Sequence, residues 1–260
     1  MAHPLIEALT PAVREAGELI ERVRAGGFTA RDKSDASPVT IADEQAEELL
    51  TAAIARADPG ALIVGEEASE AGYKPSPTDR YWLIDPLDGT KDFVQGGTDY
   101  SVNVALIEGG VPVLGLVLAP RDGTLWVGAQ RHGAARVRNG SRQAIAVRPL
   151  SERPVVVTSR SHLDDATRAY AASIPNAEIS RSGSSLKFCL IAEGEADVYP
   201  RFGPTSEWDT AAADAVLRAA GGMTCHPDGT PFTYGKADFL NGAFLAIGDP
   251  SAFERLPPLT

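Results

Sequence analysis

Two short apolar runs, each followed at once by acidic residues, place the tightest constraint on the fold of this chain. Residues 61–64 precede Gly65-Glu66-Glu67, and residues 80–84 precede Asp85-Pro86-Leu87-Asp88. Apolar runs of this length are typical of buried strands. Parallel neighbouring strands would bring both acidic ends to one edge of a sheet, which is where ligands bind in α/β sheets. The sequence therefore predicts paired strands with carboxylates at one end.

The rest of the chain reads as an ordered series of helices and strands. Helical periodicity precedes the acidic strands, β-rich runs separated by turn signals follow them as an antiparallel meander, and strands then alternate with helices. The predicted helices cover residues 5–25, 41–57, 184–193 and two stretches starting near Leu163 and Asp209, and the later strands cover 99–107, 112–119, 124–129, 155–157 and 196–199.

The polar segment 139–153, which contains Asn139-Gly140, predicts a domain boundary near residue 150. Residues 1–150 would form an α+β domain with most of the metal ligands. Residues 151–260 would form an α/β domain that adds Asp209 and the residues that select the substrate. Together they predict an α/β fold layered helix–sheet–helix–sheet–helix.

Charge and hydropathy narrow the classes of partner. The net charge of −11 disfavours binding to nucleic-acid polymers. No apolar run approaches the roughly 20 residues that span a bilayer, and the N-terminus lacks the pattern of a signal peptide. Cys189 and Cys225 have no metal-ligand spacing, so a reduced cytoplasmic protein is the simpler interpretation. A disulfide, a peripheral position on the inner membrane and the oligomeric state are left open.

The stretch Asp85-Pro86-Leu87-Asp88-Gly89-Thr90 is the strongest candidate for a metal site. Taken alone it is better explained by a turn leaving a strand. Two carboxylates at the end of a buried strand repel each other, however, and a divalent cation removes that repulsion. Magnesium takes carboxylate and carbonyl oxygens. We therefore expect Asp85 to bridge two ions, with Asp88 and the Leu87 carbonyl as further ligands.

Residues from other parts of the chain complete the predicted site. Glu66 would be a third carboxylate ligand and Asp209 a ligand from the second half, although an acidic loop and a helix cap explain them as simply. Thr90 and Glu66 would position the attacking water, assisted by Asp43, which is also explained as a helix cap. Asp88, Gly89, Thr90 and Asp209 would also contact the substrate, with backbone N–H groups at a helix start facing its phosphate.

Cationic and hydroxyl groups in the second half are candidates for binding an anionic group of the substrate away from the metals. Ser184 and Lys187 lie one helical turn apart in the predicted helix, Arg201 follows a strand, and His162 adds a donor. Solvated side chains and a helix cap are the ordinary alternatives for these residues.

These residues together resemble the signatures of the inositol monophosphatase superfamily, and within it the bacterial 3′(2′),5′-bisphosphate nucleotidases. The stretches that carry the resemblance are Gly65-Glu66-Glu67, Trp82 to Thr90, Trp208-Asp209-Thr210-Ala211-Ala212, Lys33-Ser34-Asp35, Ser37 to Thr40, Ser159-Arg160-Ser161-His162, Gly183 to Cys189 and Ala196 to Thr205.

The resemblance implies a layered αβαβα sugar-phosphatase fold and a lithium-sensitive, magnesium-dependent phosphatase of sulfur metabolism. Two or three Mg²⁺ ions would be held by Glu66, Asp85, the Leu87 carbonyl, Asp88 and Asp209. The implied reaction converts adenosine 3′,5′-bisphosphate to AMP and phosphate. An inositol monophosphatase, a histidinol-phosphate phosphatase and a non-catalytic metal-binding module are the competing hypotheses.

Overall fold

The structure is a computed structural model that describes residues 3–32, 38–161 and 163–258. Its first part holds α1 (Pro4–Gly26), β1 (Arg31–Asp32), β2 (Pro38–Val39), α2 (Ile41–Ala57), β3 (Leu62–Gly65), α3 (Glu66–Glu70), β4 (Arg80–Asp88), α4 (Thr90–Val94), β5 (Ser101–Glu108), β6 (Val111–Ala119), β7 (Thr124–Ala129), β8 (Gly133–Arg138) and β9 (Ser141–Ile145).

The second part alternates strands and helices, as the sequence predicts. Its elements are β10 (Val155–Ser159), α5 (Asp165–Ser173), β11 (Glu178–Ser182), α6 (Leu186–Ala192), β12 (Val198–Arg201), β13 (Thr205–Ser206), α7 (Ala211–Ala219), β14 (Met223–Cys225), β15 (Leu240–Asn241), β16 (Phe244–Ile247) and a 3₁₀ helix (Pro250–Arg255).

Within the described ranges, the first part forms a seven-stranded sheet of order β3-β4-β5-β6-β7-β8-β9. β3 and β4 are parallel, with Gly65 opposite Ile84, and the other pairs are antiparallel. The predicted parallel pair is confirmed, so the residues after β3 lie beside those at the end of β4. The predicted meander is also confirmed and continues through β9.

Helices α1 and α2 cover one face of this sheet. The apolar stripe of α1, including Leu9, Val13 and Ile20, is buried against α2 and against alternate strand residues such as Val102. The first turn of α2 is fixed by a capping box in which the Thr40 hydroxyl and the Asp43 carboxylate satisfy each other's backbone N–H groups.

Helices α6 and α7 lie on the opposite face of the seven-stranded sheet. α7 approaches β6 and β7 so closely that a Cβ on Gly115 would lie 2.0 Å from the Ala212 carbonyl oxygen. A Cβ on Gly128 would lie 2.7 Å from Val216 Cα. The absence of side chains at these two glycines therefore lets the helix backbone rest directly on the sheet.

In the residues that the structure covers, a five-stranded sheet of order β11-β10-β12-β16-β14 lies beyond α6 and α7, and α5 packs against it. Three core clusters fill the spaces between successive layers. The predicted order of helix–sheet–helix–sheet–helix is confirmed.

Several predicted boundaries are wrong, for local physical reasons. β4 does not end at Ile84 but continues to Asp88, because a bulge accommodates Pro86 in the strand. α6 starts at Leu186 rather than Ser184, since Ser184 has a left-handed φ of 56°. Asn139-Gly140 is the turn between β8 and β9. The division near residue 150 falls between β9 and β10 and stays a prediction.

Both cysteines are free and buried, which agrees with the reduced state that the sequence predicts. Among the helices described, none has the length and apolar character needed to cross a bilayer. The cytoplasmic location stays a prediction.

Candidate metal centre and active-site cavity

A bulge in β4 decides where the predicted metal ligands point. Asp85 pairs with Asn103 of β5 and Asp88 pairs with Ser101, so the three-residue step along β4 matches a two-residue step along β5. In a regular strand, residues three apart point to opposite faces. The extra residue turns Leu87 into the core under α1 and α2 and returns Asp88 to the face of Asp85.

A cavity of about 690 Å³ opens on that face. It is lined by the carboxylates of Glu66, Asp85, Asp88 and Asp209, which the sequence predicts to meet, together with Leu87. Glu66 directly follows β3, and Asp85 and Asp88 lie in β4. Asp209 directly precedes the N-cap residue of α7. The acidic residues of both halves therefore surround one space.

Burial and the charges of neighbouring carboxylates raise the pKa values of two of these groups, Asp85 and Asp209. Burial, followed by Glu66, Asp88 and Asp209, raises the pKa of Asp85 well above its usual value. Burial and the charges of Asp88 and Glu66 likewise raise the pKa of Asp209, although the Ser206 N–H opposes this. Each group resists carrying a negative charge beside its neighbours, which is the condition that a divalent cation relieves.

The donor chemistry fits a hard divalent cation, because every predicted ligand offers oxygen. Across the ranges described, no three acidic, His or Cys side chains are grouped closely enough to hold an ion as they stand. Asp88 Oδ2 accepts from the Ser185 N–H at 2.6 Å, and Asp209 Oδ2 accepts from the Ser206 N–H at 2.9 Å. The carboxylates therefore line the cavity without converging on a single point in this structure.

Thr90, Asp43 and Leu87 form a connected group beside the carboxylates. Thr90 Oγ1 lies 2.8 Å from the Leu87 carbonyl oxygen and 3.0 Å from Asp43 Oδ1. The other Asp43 oxygen accepts from the Thr40 N–H and hydroxyl, at 2.8 and 2.6 Å. Asp43 is thus both the N3 residue of the capping box and a direct partner of Thr90. Its part in positioning the attacking water stays a prediction.

Gly89 forms the tight connection between β4 and α4. Its φ is 92°, and a Cβ there would lie 2.8 Å from the Asp99 carbonyl oxygen. Only glycine adopts this conformation without strain. Gly89 and Thr90 line the cavity, and their contact with substrate stays a prediction.

Glu66 is the first residue of α3, and a neighbouring helix fixes its position. Glu47 of α2 accepts from the N–H groups of Glu67 and Ala68, at 2.9 and 2.8 Å. These bonds tie the start of α3 to α2.

Ser184 joins the two halves of the chain, in a way that differs from the prediction. Its hydroxyl donates to Asp88 Oδ2 at 2.8 Å. Ser184 precedes α6 and does not share a helical face with Lys187, which instead donates from Nζ to the Ser184 carbonyl oxygen. Both residues line the cavity, so the structure brings them together by a different route.

Lys187 and Arg201 supply positive charge to the cavity that the carboxylates line. Lys187 is buried, with Nζ 5.0 Å from the centre of the Tyr199 ring. Arg201 ends β12 and lines the cavity, and its Nε and Nη2 donate to the carbonyls of Gly203 and Pro204. His162 lies outside the described residues, as does Lys33-Ser34-Asp35.

Sequence reasoning missed the polar residues of β5 and its neighbours. Ser101 and Asn103 face the cavity side, and Ser185 and Asp99 connect them to the second half. Asp99 accepts from the Gly183 N–H at 2.7 Å and pairs with Arg160 at 3.1 Å. The signal was the alternation Ser101-Val102-Asn103-Val104 inside an apolar strand, which separates a polar face from an apolar one.

Comparison with known proteins places this geometry in a family. The model of the inositol monophosphatase family matches residues 1–256. The 3′(2′),5′-bisphosphate nucleotidase CysQ of Salmonella typhimurium is 40% identical over 243 residues, covering 92% of this chain and 98% of that protein. A histidinol-phosphatase of Mycobacterium tuberculosis is 33% identical over 246 residues, covering 91% and 93%.

The fold agrees with a solved structure of the same family. The crystal structure of CysQ from Bacteroides thetaiotaomicron, described as a bacterial member of the inositol monophosphatase family, has a TM-score of 0.79 and 33% identity. The match covers 93% of this chain and 96% of that one. Since the family model spans nearly the whole chain and the layered fold is shared, this chain belongs to the inositol monophosphatase family.

Proposed function

We propose that this chain is a magnesium-dependent 3′(2′),5′-bisphosphate nucleotidase that hydrolyses the 3′-phosphate of adenosine 3′,5′-bisphosphate to give AMP and phosphate. The observation that carries the proposal is a single cavity lined both by carboxylates and by the cationic side chains of Lys187 and Arg201. A substrate with two phosphates fits this arrangement, because one phosphate is cut and the other is held. The relatives named CysQ support the same substrate.

The carboxylates that line the cavity would hold the metal, and the phosphate to be cleaved would bind beside it. Glu66, Asp85, Asp88, Asp209 and the Leu87 carbonyl are the groups that would hold Mg²⁺. When bound, Mg²⁺ would neutralise the phosphoryl oxygens and make water a better nucleophile. Gly89 and Thr90 lie at the start of α4 and line the same cavity.

Thr90 would orient the attacking water. Its hydroxyl hydrogen points to Asp43 Oδ1 or to the Leu87 carbonyl oxygen, since both lie within 3.0 Å. A hydroxyl that donates in this way keeps its oxygen lone pairs for accepting a hydrogen from water. The water oxygen then forms the new bond to phosphorus as the bond to the 3′ oxygen breaks, and the 3′ oxygen leaves with a proton.

Lys187 and Arg201 would hold the phosphate that is not cleaved. Lys187 offers an ammonium group whose direction is fixed by the Ser184 carbonyl and the Tyr199 ring. Arg201 offers a planar guanidinium that the Gly203 and Pro204 carbonyls orient. Fixed cations of this kind recognise a phosphate with little loss of side-chain entropy.

The decisive test is phosphate release from a panel of substrates with magnesium titrated and lithium added. We expect adenosine 3′,5′-bisphosphate to give the highest kcat/KM, with activity that requires Mg²⁺ and is inhibited by Li⁺. A higher kcat/KM for inositol 1-phosphate or histidinol phosphate would reject the nucleotidase assignment, and the histidinol-phosphatase relative makes the latter the relevant competitor.

Asp85→Asn tests the site itself. It removes the charge of a proposed metal ligand, and we expect kcat to fall by more than about 100-fold, since even the hydrogen-bond partners of metal ligands are typically worth 10–100-fold. Asp165→Asn is the matched control, because the Asp165 side chain is 95% exposed. Near-normal magnesium-dependent turnover in Asp85→Asn would show that the site is misassigned. Metal binding without phosphate release in the unaltered protein would favour a non-catalytic module.

A further inference from the structure

β5 carries a polar row directly opposite the two aspartates of β4. Asn103 is the cross-strand partner of Asp85, and Ser101 is the partner of Asp88. Paired residues on neighbouring strands share a face and lie close together. The residues between and beyond them, Val102 and Val104, belong to the core on the other face. The polar row therefore stands against the carboxylates of the site and does not fill the core.

Asn103 is held by one edge of its amide only. Oδ1 accepts from the Ser185 hydroxyl at 2.7 Å, and the Ser101 hydroxyl lies 3.3 Å from the same oxygen. Asn103 is 1% exposed. Its Nδ2 is buried and, within the described ranges, has no hydrogen-bond partner. Buried amide groups in folded proteins are nearly always paired, so the Nδ2 group calls for a functional explanation.

The neighbouring hydroxyls form a chain along one edge of the amide. Ser184 donates its one hydroxyl hydrogen to Asp88, so in its contact with Ser184 the Ser101 hydroxyl is the donor. Ser185 has one hydroxyl hydrogen and two neighbours, Asn103 Oδ1 at 2.7 Å and the Ser101 hydroxyl at 2.9 Å. The opposite orientation would turn the amide oxygen toward Asp85, and two acceptor oxygens repel each other. We therefore expect the Nδ2 group of Asn103, and not its oxygen, to face the Asp85 carboxylate.

The geometry points to Asn103 as a positioning residue that donates from Nδ2 to the Asp85 carboxylate and fixes the direction in which Asp85 meets a divalent cation. The Leu87 N–H already holds Asp85 Oδ1 at 3.1 Å. With Asn103 as a second donor, both the position and the rotation of the carboxylate are set. Through Ser185, whose N–H holds Asp88 at 2.6 Å, one network orients both aspartates. This inference rests on the metal-dependent function proposed above.

The test measures metal affinity without turnover. Mg²⁺ is titrated into the metal-free protein by calorimetry, with no substrate present, for the unaltered protein, Asn103→Leu and Asn103→Ser. Leucine removes donor and acceptor at similar volume. Serine keeps a hydroxyl that can pair with Ser185 but is too short to reach Asp85, so it serves if the leucine variant does not fold. Thermal unfolding without metal is recorded for each protein.

The matched control is Tyr170→Phe, which removes another buried polar atom that lacks a partner in the residues described. Tyr170 belongs to α5, which contributes no residue to the cavity lining. We expect Asn103→Leu and Asn103→Ser to weaken Mg²⁺ binding by about 10–100-fold, as is typical of groups that orient metal ligands. Tyr170→Phe should bind Mg²⁺ normally. Unchanged affinity in a folded Asn103 variant would overturn the inference and leave the proposed function standing. Absence of Mg²⁺ binding by the unaltered protein would instead overturn the proposed function, and this inference with it.

Discussion

Lys187 is a cation in a place where a charge is costly. Its side chain is 4% exposed, and burial lowers its pKa from the ordinary value to about 8. The charges of Asp88 and Asp99 oppose this effect only in part. The ammonium form is therefore present at neutral pH and is lost as the pH rises through about 8.

We predict that the preference for a bisphosphate declines on the alkaline side of that pKa. The neutral amine no longer pairs with the second phosphate, so kcat/KM for adenosine 3′,5′-bisphosphate should fall relative to adenosine 3′-monophosphate. The measurement is the ratio of the two kcat/KM values at pH values on both sides of the pKa. In Lys187→Ala the ratio should be low and independent of pH. A pH-independent ratio in the unaltered protein would contradict the role given to Lys187.

At the residue scale, the sequence predicted that the carboxylates line one cavity, because the positions of most of them follow from strand ends. Glu66 and Asp85 follow apolar runs, and parallel pairing brings them together whatever the details of the loops. Asn103 and Ser185 could not be predicted in this way. Their roles depend on strand register and on the orientation of one amide, which no local pattern encodes. The role of His162 stays a prediction.

At the scale of elements, β4 shows how a local irregularity shapes the site. Asp-Pro and Asp-Gly dipeptides indicate a turn, and the sequence therefore predicts that the strand ends before Pro86. The strand instead continues to Asp88 with one extra residue. Turn chemistry and bulge chemistry use the same residue types, so only the partner strand distinguishes them.

The contact between α7 and the large sheet leads to a prediction about stability. A methyl group on Gly115 would meet the Ala212 carbonyl oxygen at 2.0 Å, a backbone atom that cannot rotate away. We expect Gly115→Ala to lower the free energy of unfolding by about 1–3 kcal/mol, the usual cost of overpacking a core, measured by urea denaturation.

Gly26→Ala is the control for that substitution. Gly26 is the last residue of α1, and a Cβ there would have nothing within 4 Å. Alanine is the better helix former, so the control should be neutral or slightly stabilising. Equal stability of Gly115→Ala and the unaltered protein would mean that α7 does not rest on the sheet as closely as described.

At the scale of the whole molecule, the layers follow from the order of elements, which the sequence contains. The helices and strands alternate in a way that leaves few arrangements for burying their apolar faces. The sharing of α6 and α7 between the two sheets is less accessible to sequence reasoning. It depends on glycines in β6 and β7 that look like ordinary weak points of strands until the helix is placed on them.

The acidic cavity should make stability depend on pH and on metal. The pKa values of Asp85 and Asp209 are raised in the folded state. A group of this kind favours folding below its unfolded pKa, and that contribution is lost as the pH rises through the folded pKa. Without metal, we therefore expect the midpoint of thermal unfolding to fall as the pH rises above about 4, the ordinary pKa of such groups.

Magnesium should oppose this loss, because an ion that binds only the folded state adds about 2.7 kcal/mol at 100 times its Kd. Unfolding is followed across pH with excess Mg²⁺ and with a chelator. The difference between the two conditions should grow with pH in the unaltered protein and be much smaller in Asp85→Asn. An equal response of both proteins to Mg²⁺ would place the stabilising ion elsewhere.

The burial of α7 also has a consequence for motion. Asp209 directly precedes the N-cap of a helix whose residues from Ala211 to Leu217 are all at most 2% exposed. Such a helix opens only on the timescale of global unfolding, whereas short surface elements fluctuate far more often. The backbone at Asp209 is therefore a rigid part of the cavity lining. The entry of substrate and the departure of AMP and phosphate therefore fall to the partly exposed elements that line the same cavity, chiefly α4 and the end of α3.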